Sequence, residues 1–524
     1  HGGPALLPMD QWYLGTYAQD TWRLSPRVTL NAGLRWEPYF GQSVTSGAIY
    51  NFSRENFRNN VRSQQYVNAP AGLIYPGDAG FPGGQRGINT QWVNFSPRVG
   101  FGWDVAGDGR TAVRASYGLT YDFPNAEYQL INANSPPFGN RTITEDPPGR
   151  FDRPYAHLGG DPHPILTNRD TVFIPYGAFG TVDPNLNSPR VQQWNVTIER
   201  QLGSIWQVAA SYIGSYTDRL WNQLAINPGV FLGTGPCTLQ GVFYATCTNN
   251  GNLNQRRVFS LSTENPAASR LIGNLDIHDD VGTQAYRGLK LSFQRRGTGI
   301  NLNGNYTLSR CFGDPAFQTG GFPQIGNGYT NPDDPSFDRG LCDQDRTHIG
   351  ALSVGVRTPD LASPALRAAL SDWRVAGILS ARSGQPINVV AGQDRAFTGI
   401  QNQRVNQVLD DPYGDKKTPN TWLNPAAFAQ PAVGTLGNFK RNSVRAPGYW
   451  AVDLAVSRLV PAGAGRTLEL RLETFNLLNT FNWSSPPSTQ GATTHHNFNS
   501  GAFGRIIAMA GAPRIIQFGI KYGF

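Results

Sequence analysis

Apolar and polar residues alternate along this chain with a period of two, and the helical period of 3.6 is almost nowhere to be found. Between positions 27 and 37, Val28, Leu30, Ala32, Leu34 and Trp36 occupy one side, and Arg27, Thr29, Asn31, Gly33, Arg35 and Glu37 the other. Successive side chains of a strand point to opposite faces, so this segment predicts a strand with one greasy and one polar side. The pattern recurs at Val99, Phe101, Trp103 and Val105, and again at Val113, Ala115, Tyr117, Leu119 and Tyr121 against Arg114, Ser116, Gly118 and Thr120. Trp194, Val196 and Ile198 alternate with Asn195, Thr197 and Glu199; Leu289, Leu291 and Phe293 alternate with Lys290, Ser292 and Gln294. Leu302, Tyr306 and Leu308 follow the same rule, as do Leu468, Leu470 and Leu472 against Glu469, Arg471 and Glu473. Charges therefore stand in mid-strand, at Arg35, Glu37, Arg114, Glu199, Lys290, Glu469, Arg471 and Glu473. A dry core would make them costly unless paired, whereas a lumen holding water or an inserted domain removes the cost.

Connection lengths alternate as regularly as the residues. Short turns fall near residues 24–26, 106–109, 203–204, 296–299 and 461–465, with one of intermediate length at 359–370. Between them lie long stretches rich in Gly, Pro and Asn, at about 38–90, 122–190, 217–284, 310–345, 383–448 and 477–511. A soluble sandwich would have mostly short connections at both ends. Short turns at one end and long loops at the other describe a transmembrane, antiparallel, up-and-down β-barrel with periplasmic turns and extracellular loops. Trp12, Trp22, Trp36, Trp103, Trp194, Trp206 and Trp450 sit near strand ends or on apolar faces, as interfacial girdles require.

The expected fold is thus all-β, with thirteen strands from one at 13–22 to a last one at 513–524, or fourteen if a loop conceals another. The first short turn makes the first strand run downward, and an even barrel with both termini periplasmic then requires an upward strand before residue 1. The chain opens at His1 without a signal peptide, and it is read as a fragment or a processed product.

Composition supports these expectations. Hydrophobic residues are 39% and charged residues 15%, with 60 Gly and 38 Pro, which is poor material for long helices. Mean hydropathy is −0.37 and no run of 18 apolar residues occurs, which excludes a transmembrane helix and leaves a barrel open. The net charge of +8 comes from arginine, with only five lysines, and it is spread along the chain rather than gathered on one face, so no nucleic-acid partner is expected. The four cysteines suit two staples: hairpin pairing brings Cys311 and Cys342 together at the base of one loop, and Cys237 and Cys247 would close a small ring in another. His495, His496, Asn331 to Asp334 and Asp410 with Asp411 are the only hints of metal, and their spacing fits neither zinc nor an EF-hand. No nucleophile elbow, phosphate-binding glycine loop or HExxH helix is present, so neither an enzyme nor a cofactor is expected; His348 alone lies near a strand mouth.

The closing segment alternates Ile516, Phe518, Ile520, Tyr522 and Phe524 with Gln517, Gly519, Lys521 and Gly523. The spacing of Gln517, Gly519, Tyr522 and the terminal Phe524 resembles the signal by which the outer-membrane assembly machinery recognises its clients, an apolar edge strand free to add to another sheet. Tyr17 to Trp22 followed by Leu30 to Trp36 resemble TonB-dependent outer-membrane receptors, specifically the Oar-like branch. Asp345-Arg346-Thr347-His348, Ser383-Gly384-Gln385-Pro386, Trp422 to Phe428, Gly437 to Asn442, Ala446-Pro447-Gly448 and Glu473 to Asn479 extend the resemblance over essentially the whole chain.

The resemblance implies the C-terminal part, residues 1–524, of a barrel of about 22 strands whose lumen is plugged. It also implies transport energised by the TonB complex through a box near the N-terminus; plug, TonB box and first strands are absent from this sequence. The partners implied are outer-membrane lipid, the plug of the parent chain, the TonB complex, the assembly machinery and an extracellular ligand whose identity the loops do not disclose. The rival expectation is a passive porin-like or fatty-acid-type channel complete in 14 strands.

Overall fold

The computed structural model describes residues 7–124, 126–133, 135–139, 160, 167–315, 325–463, 465–485 and 495–524. Thirteen strands form one antiparallel ladder in which every strand pairs with its sequence neighbours. They are β1 (Thr16–Ser25), β2 (Val28–Trp36), β3 (Phe95–Asp104), β4 (Thr111–Tyr121), β5 (Arg190–Leu202), β6 (Trp206–Ala225) and β7 (Ile272–Arg296). The second half comprises β8 (Ile300–Gly313), β9 (His348–Arg357), β10 (Trp373–Arg382), β11 (Tyr449–Pro461), β12 (Thr467–Phe475) and β13 (Ile515–Gly523). Among the described residues, β1 and β13 end the ladder and do not pair with each other.

Register keeps the apolar positions on one face across strands. Leu30 is opposite Phe101, Phe101 opposite Ala115, Ala115 opposite Val196, and Val196 opposite Tyr212. That row continues through Leu289 and Leu308. Slipping one strand by a single residue would turn its apolar set to the polar face, so the pattern specifies the register. Many of these side chains are open, among them Leu34, Phe101, Ile198, Leu291, Phe518 and Ile520. A bare apolar face of this extent requires a lipid surround. Aromatic rows border it: Trp22, Trp103, Trp206 and Trp373 near the turn end, and Tyr117, Trp194 and Trp450 near the loop end. Asp20 breaks the apolar series of β1 on this face, opposite Ala32; its carboxylate accepts the Thr21 N–H at 2.7 Å on the free edge of the strand.

Turns and loops alternate as expected, but the third loop is shorter than its sequence suggests. β6 has 20 residues and β7 has 25, about twice what crosses a membrane on strands of 9–11 residues. Their loop-end halves, expected as loop, stand above the membrane, where residues 272–278 of β7 also pair in parallel with Gly177–Val182. The reason is burial on both sides: loops cover both faces there, so Ile272, Leu275, Asp276 and His278 are all buried and the period-two contrast is lost.

The loops pack into a canopy with its own cores. Phe52, Phe57, Tyr75, Phe138, Phe179 and Phe259, from the first three loops, share one cluster, with the Phe57 and Phe259 rings 4.7 Å apart. Val389, Val405, Leu423, Phe428, Phe439 and Phe503 form a second, between the fifth and sixth loops. The loop aromatics therefore spend their surface largely on one another.

Candidate functional site

The polar face of the sheet and the base of the canopy form the candidate site. All eight charged positions expected to face a lumen lie on that face or at its margin. Arg35 meets Glu37 at 2.8 Å and donates to the Tyr13 hydroxyl at 2.6 Å, and the Tyr13 hydroxyl in turn donates to Glu37. Arg114 pairs with Glu199 at 2.9 Å, and Arg471 bridges Glu469 and Glu473 at 3.2 and 3.3 Å. Lys290 lies between Ser211 and Thr307, exposed and without an ion pair among the described residues. Neutral bonds fill the gaps between these groups: Thr21 to Asn31 at 2.6 Å, Asn195 to Ser116 at 2.7 Å, and Thr197 to Ser211 at 2.9 Å. Pairing of this kind offsets the cost of charge in mid-strand and leaves a wettable wall.

Two hollows open on this wall. One of about 650 Å³ spans β1 to β7, with Gln19, Asn31, Arg98, Ser116 and Asn195 among its lining. Its depth comes from glycine: Arg98 stands between Gly33 and Gly118, and Gly100 is opposite Asn31. The second, about 310 Å³, lies beneath the fourth loop between Thr217, Gln284, Tyr286, Ser309, Asp345 and Arg346. Arg98 and Tyr286 were not singled out from the sequence, because an arginine or tyrosine on a polar strand face looks like any other lining residue.

The fourth and fifth loops are latched together by arginine and aspartate. Arg404 pairs with Asp338, both buried; Arg441 meets Asp343 at 2.8 Å; Arg445 meets Asp345 at 2.5 Å. Asp345 also accepts the Cys311 N–H at 2.6 Å, and Arg346 donates to Gln385 at 3.0 Å. A Cβ on Gly384 would stand 1.7 Å from the Ala446 carbonyl oxygen, so only glycine lets these two segments touch. Asp345-Arg346, Ser383 to Pro386 and Ala446-Pro447, far apart in sequence, thus meet at one place. The cysteines lie beside it: Cys311 and Cys342 are joined, with Cα atoms 5.4 Å apart, and Cys237 and Cys247 are joined across a short hairpin of the third loop, at 5.1 Å.

Burial shifts several groups in the canopy. The Asp276 carboxyl, in the part of β7 above the membrane, is pushed up to about 6 although it accepts the Gly326 N–H at 2.6 Å and feels Arg257. Burial pushes the neighbouring His278 down to about 4 and Arg257 down to about 10. The Tyr50 and Tyr75 hydroxyls, enclosed in the first cluster, are raised for the same reason.

The remaining positions have local roles. His496 accepts the Gly504 N–H at 2.7 Å and stacks on Phe503; the His495 side chain lies outside the described residues. Asp334 caps the turn at Pro335–Asp338, and Asp411 accepts the Tyr413 N–H at 3.0 Å. His348 shares the outward face with Leu308 and receives or donates a 2.6 Å bond to the Tyr306 hydroxyl, so it does not look into the lumen. Gln517 and Gly519 are opposite Glu473 and Arg471 on the polar side; Tyr522 is opposite Leu468 on the apolar side, and Phe524 is fully exposed.

No curated protein matches the chain in sequence. Solved structures that resemble it include the outer-membrane transporter YddB of Escherichia coli, at 10% identity and a TM-score of 0.44, covering 98% of this chain and 45% of that one. Others are the FrpB iron transporter of Neisseria meningitidis (F5-1 variant), at 10%, 0.43, 97% and 44%, and the ferric-catecholate import receptor Fiu of E. coli K12, at 11%, 0.40, 97% and 44%. The chain thus spans less than half the length of these proteins. A family described as outer membrane beta barrel domain matches residues 5–517, nearly the entire ladder and canopy. The chain belongs to the outer membrane beta barrel domain family and is an integral protein of the outer membrane.

Proposed function

We propose that this chain is the barrel portion of a TonB-dependent outer-membrane transporter or receptor of the Oar-like branch, taking a large solute through its canopy into a plugged lumen. One observation carries the reading: a hydrogen-bonded polar wall lies beneath a packed canopy in a sheet whose two outer strands are unpaired with each other among the described residues. Unpaired strand edges in lipid leave backbone donors and acceptors without partners, at several kcal/mol for each group. Further strands and a plug in the lumen would satisfy both the edges and the wall. Under this reading Lys290, Arg98 and the paired carboxylates are contacts for plug or solute, the TonB complex supplies the work, and Gln517, Gly519, Tyr522 and Phe524 serve the assembly machinery.

The test places a cysteine at Lys290 on the wall of the full-length protein. In cells, Lys290→Cys should react slowly with a membrane-impermeant thiol reagent when TonB is absent, and at least tenfold faster when TonB is energised and ligand is present. Equally fast reaction in both strains would mean a permanently open lumen and favour a passive channel.

A further inference from the structure

The outward face carries a charge arrangement that transport does not use. Arg287 of β7 and Arg310 of β8 are directly opposite one another on the lipid side, one row above Leu289 and Leu308. Both are exposed, and neither guanidinium has an ion pair among the described residues; Arg310 lies 5.6 Å over the Phe312 ring. Asp218, the carboxylate on the same face of β6, is already held by Arg190 at 2.5 Å. Like charges set opposite each other across a strand pair repel, so two unneutralised arginines here cost stability unless an anion lies between them.

Depth identifies the anion. The row that contains the pair runs from Tyr117 through Trp194 and Gly214, where a Cβ on Gly214 would fall 2.3 Å from the indole that covers it. Tyrosine and tryptophan in such a row mark the level of the lipid headgroups, on the loop side and therefore in the outer leaflet. Immediately below, the same face is hollowed into an apolar groove of about 790 Å³, lined by Leu291, Phe293, Tyr306, Leu352 and Leu379. Gly304 and Gly350 supply its floor, opposite Phe293 and Tyr306. An anionic site above an apolar groove matches a headgroup above its acyl chain.

We propose that Arg287 and Arg310 clamp a phosphate group of an outer-leaflet lipid whose acyl chain lies in the groove beneath. Two guanidinium forks suit a phosphate monoester, whose oxygens accept paired hydrogen bonds from each. A solute bound from the medium would have no use for a site that faces the bilayer.

Native mass spectrometry of the full-length protein in non-ionic detergent tests this, with dimyristoyl phosphatidic acid, dimyristoylglycerol and inorganic phosphate as probes. Phosphatidic acid should bind the unaltered protein at least tenfold more tightly than either the phosphate-free lipid or free phosphate. Arg287→Gln with Arg310→Gln should abolish that preference, whereas Lys290→Gln, on the opposite face, should keep it. Equal binding of the two lipids to unaltered protein would overturn the proposal, with no variant required to fold. So would free phosphate binding as tightly as the lipid, or a folded double variant that retains the preference.

Discussion

Asp276 and His278 show how far single residues depart from what their types suggest. Two residues apart on β7, both are buried in the canopy. Asp276 titrates near 6 when folded, above an unfolded carboxylate, so its contribution to stability is complete below about pH 4 and is lost as pH rises through 6. His278 titrates near 4, below an unfolded imidazole, so its contribution is complete above about pH 6.5 and is lost as pH falls through 4. The windows coincide and the signs oppose, which leaves the canopy nearly indifferent to pH between them. Asp276→Asn should therefore make the canopy lose stability on acidification from pH 6.5 to 4.5, and His278→Gln should make it gain. Hydrogen exchange of residues 272–278 at the two pH values checks both; parallel behaviour of the two variants would refute the compensation. Neither residue stands out in the sequence, because burial on both faces is a property of the loops that cover them.

At the scale of elements, the strands follow from alternation and the loop architecture follows from charge and covalent closure. The three arginine–aspartate pairs hold the fourth loop against the fifth, and the Cys311–Cys342 link closes the base of the fourth loop beside them. Cross-linking over 31 residues limits the unfolded loop by up to about 4 kcal/mol on a chain-entropy account. Replacing both cysteines by serine should leave the sheet folded and speed protease cleavage within 325–347 at least tenfold, while the same change at Cys237 and Cys247 should affect only 226–257. The family-like segments were legible as words, and the hairpin geometry brought Cys311 and Cys342 together in advance. Which arginine meets which aspartate was not legible, since Asp345 and Arg445 are 100 residues apart and nothing local links them.

For the whole molecule, the membrane decides the cost of each substitution by face. Ile520 faces lipid on β13, and Lys521 faces the polar side opposite Glu469. Ile520→Arg should cost about 1 kcal/mol or more, short of the roughly 2–4 kcal/mol of the bilayer midplane because its row runs to Trp373 near the turn end, whereas Lys521→Ala should be nearly neutral. Folding titrations in vesicles compare the two, and equal costs would show that the faces are assigned wrongly. The antiparallel order of the strands, the alternation of short turns with long loops and the identity of the lipid face were legible in the sequence, which left thirteen or fourteen strands open, because a period of two under a one-sided solvent decides which residues share a face. The loops carried no such constraint. Their cores, the upward extensions of β6 and β7, the partners of the buried charges, and the meeting of Arg287 with Arg310 above an apolar groove were decided only by the tertiary structure. Each depends on segments distant in sequence coming together, where burial on all sides erases the contrast between faces that makes a strand readable.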